Sequence, residues 1–182
     1  RLARIKQVHG TDVHHAERPG FYGEGDGLIT DRRGVFLAVH IADCVPVFLY
    51  DAEAPAAALL HAGWRGTASG IAVKGLALMR RRFNTFPENV FACLGPHIKK
   101  CCYTVDGEVA ERFPDDSVRG QNGGKFTLDL AACIKRQLSE AGIPDTQIES
   151  EAPCTSCSRE LFFSHRRDNG VTGRMMGILG FI

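Results

Sequence analysis

Three side chains in this sequence have the types needed to hold a metal ion: His9, Cys44 and His61. Imidazole nitrogen and thiolate sulfur are both good zinc donors, and three protein ligands leave a fourth position for water. Zinc in such a site would lower the pKa of that water towards neutrality. The three residues lie 35 and 17 positions apart, so they do not form a zinc-finger pattern. On spacing alone each has a bland reading: Cys44 as a small buried hydrophobe, and each histidine as a satisfied structural residue. His14, His15 and His40 stand as alternative ligands. Arg65 follows His61 closely and lies among glycines, which suits an anion such as phosphate, although a solvated surface arginine fits the same residues. A second set is Cys154-x-x-Cys157, with His165 downstream. One CxxC is a weak zinc or redox signal, and the sequence names no fourth ligand for it. Cys101 and Cys102 are adjacent, and in an extended segment they would point to opposite faces, away from a joint role.

The elements that must position these residues centre on Ala42–Thr67. Val45–Tyr50 reads as a buried strand, Asp51–Pro55 as a turn, and Ala56–Leu60 as a second apolar run. An antiparallel hairpin would bring Cys44, before the first run, beside His61, after the second. Upstream, Leu2–Val8 reads as a strand ending at His9-Gly10. The glycines at 20, 23, 25 and 27 suit a flexible loop lying against a ligand, without the Gly-Lys-Ser/Thr of a P-loop. Asp26–Thr30 and Val35–Ile41 return to strand character. Gly70–Phe83 has helical spacing, with Thr67 or Ser69 as its cap and Asn84 as its end. Asn89–Leu94 is a further strand, Asp106–Phe113 a short helix, and Asp115–Lys125 an exposed loop. Leu130, Ile134 and Leu138 mark a helix over Leu128–Ala141 that stops at Gly142. Ile148–Glu151 reads as an edge strand and Arg174–Ile182 as the last strand.

The chain has 182 residues with 22 basic against 21 acidic side chains, a balance that gives no nucleic-acid or polyanion surface. Arg80-Arg81-Arg82 reads as the solvated end of a helix. No apolar run reaches the ~20 residues of a membrane span, and no signal segment is evident. Seven cysteines without an even framework favour a reducing, cytoplasmic setting. Neither a repeat nor a linker interrupts residues 1–182, so one domain is expected.

Lys6-Gln7-Val8-His9-Gly10, Asp26-Gly27-Leu28-Ile29-Thr30, Ala42-Asp43-Cys44-Val45-Pro46-Val47 and His61-Ala62-Gly63-Trp64-Arg65-Gly66-Thr67 occur in this order. Gly95-Pro96, Cys102-Tyr103, Cys154-Thr155, Cys157, Phe162-Phe163-Ser164, Arg166-Arg167-Asp168 and Thr172-Gly173-Arg174-Met175 follow. Together these blocks resemble the YfiH/YlmD-type laccase-domain family, long labelled polyphenol oxidases. The resemblance implies an α+β fold of mixed sheets packed together with helices outside. It implies a zinc site on His9, Cys44 and His61. It also implies purine nucleoside chemistry: phosphorolysis of adenosine, inosine, guanosine and methylthioadenosine, and deamination of adenosine. In deamination an activated water would attack C6; in phosphorolysis a phosphate would attack the ribose C1′. Asp43 is then a candidate for proton transfer or for orienting the site, and Arg65, Arg167 and Arg174 for phosphate. The alternatives are a copper-dependent phenol oxidase, for which no histidine cluster looks rich enough, and a non-catalytic zinc or nucleoside-binding module. Family members carry a further segment before the Gln7-Val8-His9-Gly10 strand, so residues 1–182 are expected to lack an N-terminal part.

Overall fold

The computed structural model describes the chain from Arg1 to Ile182, with every side chain but that of Asn122. In chain order the first strands are β1 (Leu2–Lys6), β2 (Val13–His15), β3 (Gly20–Glu24), β4 (Gly27–Thr30), β5 (Phe36–Ile41), β6 (Val45–Asp51) and β7 (Ala57–Ala62). Helices α1 (Trp64–Ala68) and α2 (Ile71–Phe83) follow, then β8 (Val90–Leu94), β9 (Thr104–Asp106) and α3 (Gly107–Ala110). The chain closes with β10 (Val118–Gly120), β11 (Lys125–Leu128), α4 (Leu130–Glu140), β12 (Ile148–Glu149) and β13 (Met175–Gly180). A mixed six-stranded sheet runs β12-β8-β6-β7-β4-β2, a four-stranded one β13-β5-β1-β3, and a small one β10-β11-β9. The fold class is α+β, as the family resemblance implies.

Strand β7 lies inside the six-stranded sheet, and all its residues are buried. Successive side chains point to opposite faces. Ala58, Leu60 and Ala62 therefore join Ile71, Leu76 and Met79 of α2 in one core, while Leu59 joins Leu28, Leu37 and Val39 in a second core against the four-stranded sheet. A strand covered on both sides reads as an unbroken apolar run, which is why this segment shows no alternation. Burial of Leu59 or Leu60 is worth about 1.5–3 kcal/mol each. Helix α2 lies close to this strand because Gly75 has no side chain; a Cβ there would come within 2.6 Å of Leu60 Cδ1.

The Asp51–Pro55 turn closes the hairpin as expected. The Asp51 carboxylate accepts from the amides of Glu53 and Ala54, at 2.9 and 3.2 Å. Helix α2 ends on Asn84 in the left-handed conformation (φ 57°), and Arg80–Arg82 complement its carbonyl end. Three expectations need correction. Thr67 and Ser69 do not cap α2; its N-cap is Gly70 at φ 73°, and Thr67 sits within α1. The glycine-rich stretch after Pro19 is not a free loop, since Gly20–Glu24 forms β3, paired parallel to β1 at a sheet edge. Asp115–Lys125 contains β10 and leads into β11, an antiparallel pair. Strands β3 and β10 are mostly exposed and are held by main-chain ladders, so their side chains carry no burial periodicity.

Candidate metal centre

Register explains how Cys44 and His61 meet. Val45 pairs with Ala62 and Pro46 with His61, so His61 stands inside β7 and not after it. Cys44 is two residues before Pro46 and therefore faces the same side as His61. Gly63 follows on that side with no side chain. A Cβ there would lie 3.1 Å from both Cys44 Sγ and His9 Cδ2, so only glycine leaves room for the sulfur and the ring. Gly63 also begins a short helix, α1, and does not act as a flexible hinge.

His9 arrives from the turn after β1, in the left-handed region at φ 59°. That unusual backbone is fixed by Asp26, which stands just before β4 and is fully buried. Its Oδ1 accepts from the His9 amide at 2.9 Å, and its Oδ2 accepts from the amides of Gly10 at 2.6 Å and Val8 at 3.2 Å. Three successive N–H groups folded around one carboxylate form an anion nest. The same Oδ1 lies 2.8 Å from His61 Nδ1, and the Asp26 carbonyl accepts from the His61 amide at 2.7 Å. Asp26 thus fixes both histidines. With Nδ1 engaged, His61 is left with Nε2 for a metal, the arrangement that orients metal-binding imidazoles generally. Sequence reasoning missed this residue; the only signal was an aspartate opening a buried strand block.

One donor atom from each of His9, Cys44 and His61 lies within 4.8 Å of the others. The two rings meet edge to face with centroids 4.9 Å apart. Burial opposes ionisation of Cys44, but hydrogen bonds and charge from His61 and His9 outweigh it and bring the thiol down to about 7. Burial likewise opposes a charge on His61, yet Asp26 and Cys44 raise it to about 9. Asp26 is itself held below the usual carboxylate range: burial resists, and His61 and the amides of Gly10 and Val8 prevail. The donor set, a thiol that ionises readily beside two rings, one of them oriented by a carboxylate, fits a thiophilic divalent ion such as zinc.

The cluster opens into a cavity of about 510 Å³. Trp64, Arg65, Tyr103, His165, Arg166 and Arg174 form much of its wall. The Arg65 guanidinium stacks 4.3 Å over the Trp64 ring and has no acidic partner among the described residues. Arg174 spends one nitrogen on the carbonyls of Thr172 and Gly173, at 3.0 and 2.9 Å. Arg166, which sequence reasoning passed over, lies 5.1 Å over the Tyr103 ring and donates to the Thr104 carbonyl at 2.7 Å. Burial and the neighbouring Cys44 push the Tyr103 phenol up to about 12.

Other expected site residues fall elsewhere. Arg167 does not line this cavity. Its guanidinium forks onto Asp168 at 2.8 and 2.9 Å and donates to the carbonyls of Thr155 and Phe162 at 2.9 and 3.0 Å, so no face is left for phosphate. Asp43 does line the cavity, but its carboxylate is committed: Oδ1 accepts from Thr155 Oγ1 at 2.6 Å and Oδ2 from the Arg166 amide at 2.7 Å. That favours orientation over proton transfer. His14 turns to the Glu24 carbonyl and His15 to Asp31, away from the cluster. His40 lines the cavity without joining the ligand group. Cys101 and Cys102 do not diverge on an extended strand. They occupy a turn in which the amides of Cys102 and Tyr103 both donate to the Lys99 carbonyl, and they lie together with Cys154 and Cys157.

A family model described as "Multi-copper polyphenol oxidoreductase laccase" matches residues 1–182. Purine nucleoside phosphorylase YlmD of Geobacillus stearothermophilus is 40% identical over 198 residues, covering 99% of this chain and 72% of that protein. Adenosine deaminase RL5, from an unknown prokaryotic organism, is 37% identical over 156 residues, covering 82% of this chain and 59% of that protein. The crystal structure of the Bacillus licheniformis protein YfiH superposes with a TM-score of 0.95 at 39% identity, covering 100% of this chain and 74% of that one.

Proposed function

From the premise that this chain belongs to the laccase-domain family, we propose that it is a zinc-dependent purine nucleoside enzyme, which splits nucleosides with phosphate and deaminates adenosine. The observation that carries the reading is the convergence of His9, Cys44 and His61 at the floor of a cavity walled by aromatic rings and arginines. The names borne by the YlmD and RL5 relatives supply the two reactions. His9, Cys44 and His61 would hold the zinc, with Asp26 orienting His61. When bound, the ion supplies Lewis-acid chemistry at the open coordination position.

The protein's own groups do the rest. Trp64 and Tyr103 give the cavity an aromatic lining suited to a purine, and a volume of about 510 Å³ lies within the range of small-molecule sites. Arg65 is the candidate for phosphate, since its guanidinium is charged, exposed to the cavity and uncommitted. Arg166 and Arg174 add positive charge to the same cavity, for a second anionic oxygen or the ribose. Tyr103 stays protonated at neutral pH and can donate a hydrogen bond to a purine nitrogen. Phosphorolysis converts nucleoside and phosphate to free base and ribose 1-phosphate; deamination converts adenosine and water to inosine and ammonia.

The family description raises copper-dependent phenol oxidation as a second reading. The ligand inventory favours zinc. Among the described residues the two metal-competent clusters hold two imidazoles with one thiol and four thiols respectively, neither of them a histidine-rich centre. A nucleoside-binding module without turnover is the third reading. Incubation with adenosine, with and without phosphate, followed by chromatography beside Cys44→Ala, separates all three. Phosphate-dependent adenine, or inosine in either buffer, lost in the variant, supports the enzyme. Bound but unconverted adenosine would support the module, and oxygen uptake with a phenol would support the oxidase.

A further inference from the structure

A second cysteine cluster lies apart from the cavity floor and shares no ligand with it. Cys101 and Cys102 sit in the turn between β8 and β9, and Cys154 and Cys157 in the segment after β12. All four sulfurs lie within 4.8 Å of one another, with Cys102 and Cys157 at 3.3 Å and Cys101 and Cys157 at 3.7 Å. Four thiolates around one zinc at about 2.3 Å would stand about 3.8 Å apart, inside this spread. Adjacent cysteines reach one point because the Lys99–Cys102 turn is helix-like, with the amides of Cys102 and Tyr103 on the Lys99 carbonyl at 2.9 and 3.0 Å. Neighbouring side chains then diverge by about 100° and not by the 180° of a strand. The CxxC is a tight turn as well, closed by the Ser158 amide on the Cys154 carbonyl at 3.0 Å. The amides of Lys99, Ser156 and Cys157 aim at Cys154 Sγ and would stabilise a thiolate there without a counter-charge.

The surroundings supply a reason for a cross-link. From Ser150 to Arg174 the chain has no helix or strand, only turns and one isolated bridge, His97 to Cys154. A run that long without regular structure needs something other than a ladder to order it. Yet it carries His165, Arg166 and Arg174 into the cavity and Thr155 onto Asp43. The opposite anchor is equally placed, because Cys102 adjoins Tyr103 of the same wall.

We propose that Cys101, Cys102, Cys154 and Cys157 bind a structural zinc ion that staples the Ser150–Arg174 segment to the β8–β9 connection and so holds one wall of the cavity. Four thiolates with no open position make a closed, non-catalytic site.

The test is the zinc content of the purified full chain, with cobalt(II) substitution as an independent readout. The unaltered protein should carry two zinc ions per chain. Cys44→Ala should carry one, and Cys101→Ser and Cys157→Ser, both at exposed positions, should each lose the other. Cobalt in the Cys44→Ala background should give the strong near-ultraviolet thiolate-to-metal charge transfer of several sulfurs, and Cys157→Ser should weaken it. Stripping zinc from that background should speed tryptic cleavage at Arg159 or Arg166 at least tenfold. Metal content unchanged by both serine variants would overturn the proposal, as would two oxidised thiols in the freshly prepared chain. The Cys44→Ala background keeps this result separate from the fate of the nucleoside reading.

Discussion

Replacing Asp26 with Asn changes one atom and should damage the site more than any substitution of a cavity-wall residue. The carboxylate takes four donors: His61 Nδ1 and the amides of His9, Gly10 and Val8. An asparagine oxygen can keep His61 and His9, but its NH2 then faces the amides of Gly10 and Val8. Two charge-assisted bonds fall from about 1.5–3 to about 0.5–1.5 kcal/mol, and two amides lose their acceptor at about 1–3 kcal/mol each. Val8 is 44% exposed, so water can relieve part of this. A net loss of about 3 kcal/mol is the working figure, at the lower edge of what breaking a buried charged contact costs. For a chain of this size that is about 6–12 °C in melting temperature. The histidine it orients should lose about 10–100-fold in metal affinity. Thermal melts of zinc-stripped protein give the first number, and competition with a chromophoric chelator gives the second. A variant that melts within 2 °C of the parent and binds zinc within twofold would mean that the Asp26 carboxylate does not hold the site.

Gly63→Ala is compatible with the local backbone (φ −78°) but puts a methyl 3.1 Å from Cys44 Sγ and His9 Cδ2; zinc affinity should drop about tenfold while the circular dichroism stays the same. Arg65→Ala should raise the phosphate KM ten- to a hundredfold, from the loss of a charged hydrogen bond of about 1.5–3 kcal/mol, with urea stability unchanged because the side chain is exposed. Thr155→Val keeps the shape but strands Asp43 Oδ1 in a buried place, so urea unfolding should register a loss of about 1–3 kcal/mol. Cys133 is buried and its thiol is pushed up to about 11, so the unfolded chain sheds this proton first as pH rises. Stability should therefore decline between about pH 9 and 11, and Cys133→Ala should lessen that decline, which alkaline unfolding curves will show.

The hairpin was legible as two unbroken apolar runs about the Asp51–Pro55 turn, and α2 and α4 because their apolar residues repeat at helical spacing. Of the three candidate ligands, Cys44 and His61 were legible as neighbours through the hairpin, whereas His9, 35 positions before Cys44, joined them only through motif resemblance. Asp26 escaped notice because its role is played on backbone amides, which leave no mark in a sequence. The four-cysteine cluster escaped for a different reason. A vicinal pair read as extended diverges, and only the Lys99 turn makes it converge. Arg167 and Arg166 show the limit of reading charge alone: neighbours in sequence, one is consumed by Asp168 and the other reaches the cavity.

The floor cluster and much of the cavity wall differ in when they are made. His9, Asp26, Cys44 and His61 all lie in the first 61 positions, whereas Tyr103, His165, Arg166 and Arg174 lie among the 121 that follow. At ribosomal speeds of about 5–20 residues per second, His61 is synthesised roughly 6–24 s before the chain reaches Ile182. The β6–β7 hairpin that joins Cys44 to His61 closes over a short loop, so it can form in that interval. Metal capture by ribosome-bound chains ending near Phe113 would show whether the ion arrives before His165, Arg166 and Arg174 are made.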